Sequence, residues 1–162
     1  MESVFSTPFG RVYGLDGEYF PSVTTILNGF NPKCQEFTND YAQLGTRCHY
    51  EILGLYKDME EPECYYSRFT ETEVNDKLDR ANDMWQTVDI GDVIDVEILV
   101  SDSTVGYAGR LDMLTEIQQK ATLVDLKTGN YYAKYPLQLA AYVHASPQPV
   151  EQALIVRLDL NL

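Results

Sequence analysis

The middle third of the chain contains three short segments in succession that are rich in β-branched residues and partly alternate apolar with polar side chains. They cover residues 93–100 (VIDVEILV), 104–114 (TVGYAGRLDML) and 121–127 (ATLVDLK). Short segments of this kind, joined by turns, predict three consecutive β-strands. The chain is therefore constrained to a fold with a sheet at its centre.

Segments with helical periodicity flank these strands on both sides. An apolar stripe that begins near residue 39 recurs every three or four positions and predicts a helix packed on a core. Thr70 and Glu73 have the spacing of a capping box and predict the start of a second helix. Pro136 is tolerated in a first helical turn and predicts a third helix, which runs to about Ala145. The stripe positions of the first two helices are Tyr41, Leu44, Cys48, Ile52 and Leu55, then Val74, Leu78, Ala81 and Trp85.

The two ends of the chain are expected to add further elements. Residues 8–20 alternate apolar with polar side chains around a glycine-containing turn, which predicts a hairpin. Ser22 is placed to cap a short helix that ends at Leu27. Residues 153–158 (ALIVRL) predict a last strand.

These elements predict an α/β fold with a central mixed sheet of four to five strands flanked by helices. A chain of 162 residues suits one domain over 1–162. Within it, we assign the N-terminal hairpin and short helix to 1–38 and the core to 39–162.

The charge balance limits how the protein could bind nucleic acid. Twelve basic residues against 25 acidic residues give a net charge of −13, which argues against binding by bulk positive charge. A local basic groove, or a site where metal ions supply the positive charge, is still compatible with this balance. No apolar run is long enough to span a membrane, and the N-terminus lacks the layout of a signal peptide, so we expect a cytoplasmic protein with no membrane partner.

The cysteines give no sign of a structural cross-link. Cys34, Cys48 and Cys64 are an odd number and form no CxxC pair. Neither a disulfide framework nor a closed zinc site is indicated, and we expect reduced thiols.

Acidic residues interrupt the apolar strands of the middle third. Glu97, Asp112 and Asp125 lie within or at the end of a predicted strand rather than in a turn. Strand alternation places Asp125 and Lys127 on one face, where they are neighbours. Burying such groups is costly unless they pair or bind a cation, so the pair is either a structural ion pair or part of a site.

Neighbouring residues favour a site. If residues 104–114 and 121–127 pair, Asp112 and Asp125 can meet at one point. Carboxylates bind hard divalent cations such as Mg²⁺, which can polarise a phosphate and lower the pKa of a water. Lys127 beside them is suited to stabilise charge that develops on a phosphate, or to position the nucleophile.

Three further polar residues lie at suggestive positions. His49 follows Gly45 by one helical turn, and the glycine leaves room for a close approach; the alternative is a structural histidine. Gln138 and Tyr142 share a face of the third helix, with Leu137, Ala140 and Ala141 expected to face the core. The alternative for Gln138 and Tyr142 is a polar helix edge.

Taken in chain order, these residues resemble the motifs of a known nuclease superfamily. The motifs are Gly45-Thr-Arg-Cys-His49, Glu97, Gly109-Arg-Leu-Asp112, Asp125-Leu-Lys127-Thr128-Gly129 and Gln138-Leu-Ala-Ala-Tyr142. This set resembles the PD-(D/E)XK nuclease superfamily, and within it the RecB-like exonuclease branch that includes phage-type and mitochondrial genome maintenance exonucleases. The opening Pro21-Ser-Val-Thr-Thr-Ile-Leu27 is also similar to that of several phage-type members.

The resemblance implies a restriction-endonuclease-like core and a role for each motif. Asp112 and Asp125 would bind metal with the backbone carbonyl of Leu126, His49 would be an additional metal ligand, and Lys127 would be the catalytic lysine. Glu97 lies where relatives often have an acid near the site. The residues expected to contact or support nucleic acid are Gln138, Tyr142, Arg110 and Thr128.

The reaction implied is Mg²⁺- or Mn²⁺-dependent hydrolysis of phosphodiester bonds by a metal-activated water. The expected substrate is DNA, as single strands or ends, and the expected setting is recombination, replication or defence, where a protein partner is also possible. Leu111 stands where the superfamily name has proline. The iron–sulfur relatives have a C-terminal cysteine cluster, and this chain has no cysteine after Cys64, so no such cluster is expected.

Two other function classes remain open from the sequence. One is a catalytically silent module of the same fold that binds nucleic acid or protein, or an acidic DNA mimic, as the net charge of −13 would suit. The other is a different metal-dependent phosphohydrolase that acts on nucleotides.

Overall fold

The structure is a computed structural model that describes residues 2–29 and 40–158. Within these ranges the fold is α/β, with a mixed four-stranded sheet, a three-stranded antiparallel sheet and four helices. The prediction of an α/β chain with a central mixed sheet is thus confirmed. Cys34 and the expected helix start at residue 39 lie outside the described residues. No described helix is long and apolar enough to cross a membrane.

The three-stranded sheet is formed by the N-terminal residues. Its strands, in spatial order, are β1 (Ser3–Thr7), β2 (Gly10–Leu15) and β3 (Glu18–Pro21). The turn between β2 and β3 contains Asp16 and Gly17, both with positive φ, which confirms the predicted hairpin. The strand β1, which extends this hairpin to a sheet, was not predicted.

The predicted helix caps are present. Helix α1 (Val23–Leu27) begins after Ser22, whose side chain accepts a hydrogen bond from the backbone N–H of Thr25. Thr70 and Glu73 form the reciprocal hydrogen bonds of a capping box before helix α3 (Glu71–Gln86). These local signals therefore determine where two of the helices begin.

Helix α2 spans Asp40–Leu53 and follows most of its predicted stripe. Its apolar contacts with the core come from buried Leu44, Cys48, Ile52 and Leu53. The stripe was wrong at its ends, because Tyr41 and Leu55 are exposed. Leu55 lies beyond the end of the helix, so its side chain no longer follows the helical period.

In the central sheet, the four strands lie side by side in the order in which they occur in the sequence. Its strands are β4 (Val93–Asp102), β5 (Tyr107–Ile117), β6 (Lys120–Lys127) and β7 (Gln152–Arg157), with helix α4 (Tyr135–Ala145) between the last two. The first three strands are antiparallel, and β7 is parallel to β6. The crossover through α4 permits this parallel pair.

The hydrophobic core lies on both faces of this sheet. Helices α2 and α3 cover one face, where Leu44 and Trp85 join Val124 and Leu126 of β6. Helices α1 and α4 cover the other face, where the buried side chains include Leu123 of β6. Because side chains alternate along β6, its polar Asp125 shares the face of Leu123, as predicted.

Candidate metal centre and active site

The candidate site lies at a fork between β5 and β6. The paired positions of these strands run from Met113↔Val124 to Ile117↔Lys120. From Leu111 back to Tyr107, β5 pairs with β4 but no longer with β6, while the end of β6 pairs with β7. Asp112 and Asp125 are the first residues of the two strands beyond the last pair, so the fork brings both carboxylates to the same opening.

A hydrogen bond spans this fork. The backbone N–H of Leu126 donates to Oδ2 of Asp112 at 2.6 Å. In a continuous sheet, the Leu126 N–H would donate to a backbone carbonyl of the neighbouring strand. Here it donates to the Asp112 carboxylate instead, and this hydrogen bond fixes the orientation of that side chain.

Three potential metal ligands, one of which is Asp112, lie close together at the fork. One ligand atom from each of His49, Glu97 and Asp112 lies within 4.8 Å of the other two. His49 comes from α2, Glu97 from β4 and Asp112 from β5, so three separate elements are needed to build the group. His49 Nδ1 lies 3.7 Å from Asp112 Oδ1. One imidazole and two carboxylates are suitable ligands for a divalent cation such as Mn²⁺ or Mg²⁺.

Glu97 reaches this group through an unusual backbone conformation. Its φ is +54°, although it lies inside a strand. The flanking pairs are Val96↔Met113 and Ile98↔Leu111, so Glu97 lies opposite Asp112 without pairing. A left-handed conformation costs a non-glycine residue roughly 1–2 kcal/mol. Strain of this kind is often found at functional sites, where the surrounding structure maintains it.

Asp125 and Lys127 form a close ion pair beside the three ligands. Lys127 Nζ lies 2.5 Å from Asp125 Oδ2, and both side chains are largely buried. This Oδ2 makes an ion pair but accepts no hydrogen bond of standard geometry. The ammonium group also lies 4.9 Å from the ring centre of Tyr135. Asp125, expected as a metal ligand, is not a member of the convergent group, whereas Glu97, expected as a catalytic acid near the site and not as a metal ligand, is a member.

Burial is the main cause that destabilises the ionised form of each of the three carboxylates in the absence of a cation. Burial raises the pKa of Asp112 to about 6, against an opposing effect of the Lys127 charge. Burial, and then the charge of Asp112, raise the pKa of Asp125 to about 6 as well. Burial and the same neighbour raise the pKa of Glu97. A divalent cation would favour the ionised form of all three.

His49 has the protonation state that a metal ligand needs. Burial and then the nearby Lys127 charge lower its pKa, so the imidazole is neutral near pH 7. Its ring is within hydrogen-bonding reach of the Leu126 backbone carbonyl, which opposes this shift. The residues present therefore fit a divalent cation by donor type, protonation state and the incompletely satisfied Asp125 oxygen.

Gly45 allows α2 to approach the end of β6. A Cβ at this position would lie 2.6 Å from Oγ1 of Thr128, closer than real Cβ contacts. The close approach that the sequence predicted at Gly45 is thus present, and the residue that approaches the glycine is Thr128. His49, one turn further along α2, is held over the fork as a result.

Gln138 and Tyr142 are buried rather than part of a polar helix edge. Gln138 Nε2 donates to the Tyr142 hydroxyl at 3.0 Å. A Cβ at Gly109 would come within 2.4 Å of Tyr142 Cε1, so the tyrosine ring lies directly on β5. The expected core face of α4 was wrong at Leu137 and Ala140, which are exposed, because Gln138, Leu139 and Tyr142 face the interior instead.

A cleft of about 860 Å³ connects these groups. Nearly all of the sequence-predicted site residues line it; Leu126 differs, since its side chain is buried in the core. Arg110 is exposed at the cleft and lies 3.5 Å from Glu97. The predicted residues that line the cleft are His49, Glu97, Arg110, Asp112, Asp125, Lys127, Thr128, Gln138 and Tyr142.

Sequence reasoning missed two sides of this cleft. The N-terminal sheet contributes Val4, Ser6, Arg11 and Tyr13, and the loop before α3 contributes Met59, Glu60 and Pro62. These residues form no chemical motif in the sequence, and only the tertiary packing places them there. Comparison of the sequence with protein-family models and with curated proteins gives no match.

Proposed function

We propose that this chain is a Mg²⁺- or Mn²⁺-dependent nuclease of the PD-(D/E)XK superfamily, in its RecB-like exonuclease branch, with a restriction-endonuclease-like core. Its substrate is DNA, as single strands or ends, and it acts in the cytoplasm, with or without a protein partner. The observation that supports this proposal most strongly is the convergence of His49, Glu97 and Asp112 within 4.8 Å beside Lys127.

The cation would be held by His49, Glu97 and Asp112, and Asp125 and the Leu126 carbonyl would be the further ligands that the resemblance implies. A bound divalent cation supplies a positive charge that polarises a phosphate oxygen and lowers the pKa of a water. The neutral His49 imidazole offers a lone pair without first losing a proton. The Leu126 N–H keeps the Asp112 carboxylate aimed at the opening of the fork.

Lys127 supplies the fixed positive charge of the site. Its ammonium group is held by Asp125, and its stem is largely buried, so little reorganisation is needed when charge develops on a phosphate. Gln138 and Tyr142 support the floor of the cleft through their mutual hydrogen bond. Arg110 and Thr128 are placed at the cleft to contact the strand that is cut.

The test is cleavage of end-labelled DNA by the purified chain. Single- and double-stranded oligonucleotides are incubated with Mn²⁺, Mg²⁺ or EDTA. Lys127→Ala removes the proposed catalytic ammonium, and Lys120→Ala is its control, since Lys120 is an exposed lysine at the start of the same strand.

We expect metal-dependent cleavage by the wild type and by Lys120→Ala. In Lys127→Ala the rate should fall by about 10²-fold or more, because a preorganised charge at the reacting phosphate is lost. Cleavage in EDTA, or an unchanged rate in Lys127→Ala, would overturn the assignment. So would a folded wild type that cuts neither substrate, which would favour a silent binding module.

A further inference from the structure

The three-stranded N-terminal sheet forms one wall of the cleft. Strand register pairs Val4 with Tyr13 and Ser6 with Arg11 across β1 and β2. Paired residues lie on the same face of a sheet, and alternate residues along one strand share it. All four of these residues therefore belong to a single face, and all four line the cleft.

This wall is fixed to the strand that contains Asp112. Ser22 forms a bridge with Ala108 of β5, and its backbone N–H donates to the Arg11 carbonyl at 2.9 Å. Tyr13 and Phe20 pack with Ala108 in an apolar cluster. The position of Arg11 relative to the metal ligands is thus set by the fold rather than by a mobile connection.

Among the described residues that line the cleft, Arg11 is the cation that no acidic residue neutralises. Arg110 pairs with Glu97, and Lys127 pairs with Asp125. In the described part of the chain, the Arg11 guanidinium is exposed and has neither an ion pair nor a hydrogen bond. In a protein with a net charge of −13, an uncompensated arginine beside a carboxylate cluster is available to an external anion.

The groups around Arg11 suit a phosphate. The hydroxyl side chains of Ser6, Ser22 and Thr24 line the same wall. Guanidinium groups bind phosphate through a planar pair of N–H donors, and hydroxyls are frequent partners of phosphate oxygens. The metal ligands line the same cleft but come from α2, β4 and β5, whereas Arg11 comes from the N-terminal sheet, so Arg11 is a separate contact point for an anion.

We propose that Arg11 binds a backbone phosphate of the nucleic-acid strand, next to the phosphate that is cut, and so positions that strand against the metal centre. This inference rests on the proposed nuclease function. A cleft of about 860 Å³ lies in the size range that encloses one small ligand, which corresponds to a short piece of a single strand and is too small to enclose a duplex.

The experiment measures binding and cleavage separately. Binding of a fluorescent single-stranded oligonucleotide is followed by anisotropy in EDTA over a range of salt concentrations, and cleavage in Mn²⁺ gives KM and kcat. The variants are Arg11→Ala and the charge-preserving Arg11→Lys. Arg80→Ala is the control, because Arg80 is exposed on α3, has no ion-pair partner among the described residues and does not line the cleft.

We expect Arg11→Ala to weaken binding about tenfold, as for one lost charge-assisted hydrogen-bond pair. A plot of the logarithm of the binding constant against the logarithm of the salt concentration has a negative slope. The magnitude of this slope should decrease by about 0.7, the value of one phosphate contact on a single strand. In Arg11→Ala, KM should rise while kcat stays within about twofold of the wild-type value. The affinity and KM of Arg11→Lys should lie between those of the wild type and Arg11→Ala. Inorganic phosphate or a mononucleotide as competitor distinguishes an isolated anion site from one that needs a strand.

The outcomes separate this inference from the proposed function. If the wild type cleaves DNA and Arg11→Ala keeps its KM and its salt slope, the Arg11 assignment is wrong and the nuclease stands. Displacement of the oligonucleotide by free phosphate only in proteins that retain Arg11 supports phosphate binding at Arg11. A wild type that neither binds nor cleaves DNA overturns both.

Discussion

The backbone N–H of Leu126 donates a 2.6 Å hydrogen bond to Oδ2 of Asp112, across the point where β5 and β6 stop pairing. The bond couples two strands of the central sheet to the orientation of one carboxylate. An amide oxygen can accept the same bond, so Asp112→Asn removes the charge and keeps the connection. This substitution therefore separates the electrostatic contribution of Asp112 from its structural one.

The charge of Asp112 should destabilise the metal-free protein above pH 6. Its folded-state pKa of about 6 is raised from an ordinary 3.8, so the folded protein holds more protons than the unfolded chain between these values. The free energy of unfolding thus falls as pH rises through this range. In EDTA at pH 7.5 we expect Asp112→Asn to be more stable than the wild type by about 3 kcal/mol.

The difference in the free energy of unfolding between Asp112→Asn and the wild type should decrease as the pH falls toward 4, where the Asp112 carboxyl of the wild type is protonated. His49, whose pKa is lowered, contributes with the opposite sign, but it is present in both proteins. Urea unfolding at pH 4, 5, 6 and 7.5 measures the effect. A stability difference that does not change with pH would show that burial of the Asp112 charge is not its cause.

Glu97 should reverse the usual ranking of alanine and glycine in a strand. At an ordinary strand position, glycine is less stable than alanine by roughly 0.5–1 kcal/mol. At φ +54°, alanine keeps the strain of a Cβ and glycine does not. We expect Glu97→Gly to unfold at a higher temperature than Glu97→Ala, by the equivalent of about 1 kcal/mol. Thermal unfolding in EDTA compares them, and an alanine variant of equal or greater stability would contradict the strained backbone.

The contact between Gly109 and Tyr142 should appear as a coupling energy. Gly109→Ala places a methyl group against the tyrosine ring, and overpacking of this kind costs about 1–3 kcal/mol. In a Tyr142→Ala background, the same change should cost much less, because the obstructing ring is gone. Gly129→Ala is the control, since a Cβ there meets no atom within 4 Å. Additive effects of the two substitutions in urea unfolding would exclude the contact.

Local signals predicted the elements of this fold well. The capping box at Thr70, the cap at Ser22 and the apolar stripe around Leu44 each depend on residues close in sequence, and each is present. The strand β1 was missed because it gains its stability by pairing with β2. Leu55 was misassigned because its spacing from Ile52 fits the helical period, although helix α2 already ends at Leu53.

The site was only partly visible in the sequence. Strand alternation placed Asp125 and Lys127 together, and their contact follows from two residues of spacing. The φ of Glu97 has no sequence signal, because glutamate is not a residue expected in that conformation. Arg11 reaches the cleft only through the packing of one sheet on another, which no short-range pattern encodes.

Titration of the metal-free protein with Mn²⁺, followed by the spin-resonance signal of the free ion, is the most direct test of the metal centre. We predict that the wild type removes Mn²⁺ from solution and that His49→Ala, Glu97→Gln and Asp112→Asn each bind it at least tenfold more weakly. Asp79→Asn, which alters an exposed acid on α3, should bind like the wild type. A wild type that leaves Mn²⁺ free, or three variants that bind it as well as the wild type, would contradict the assignment of His49, Glu97 and Asp112 as one metal centre.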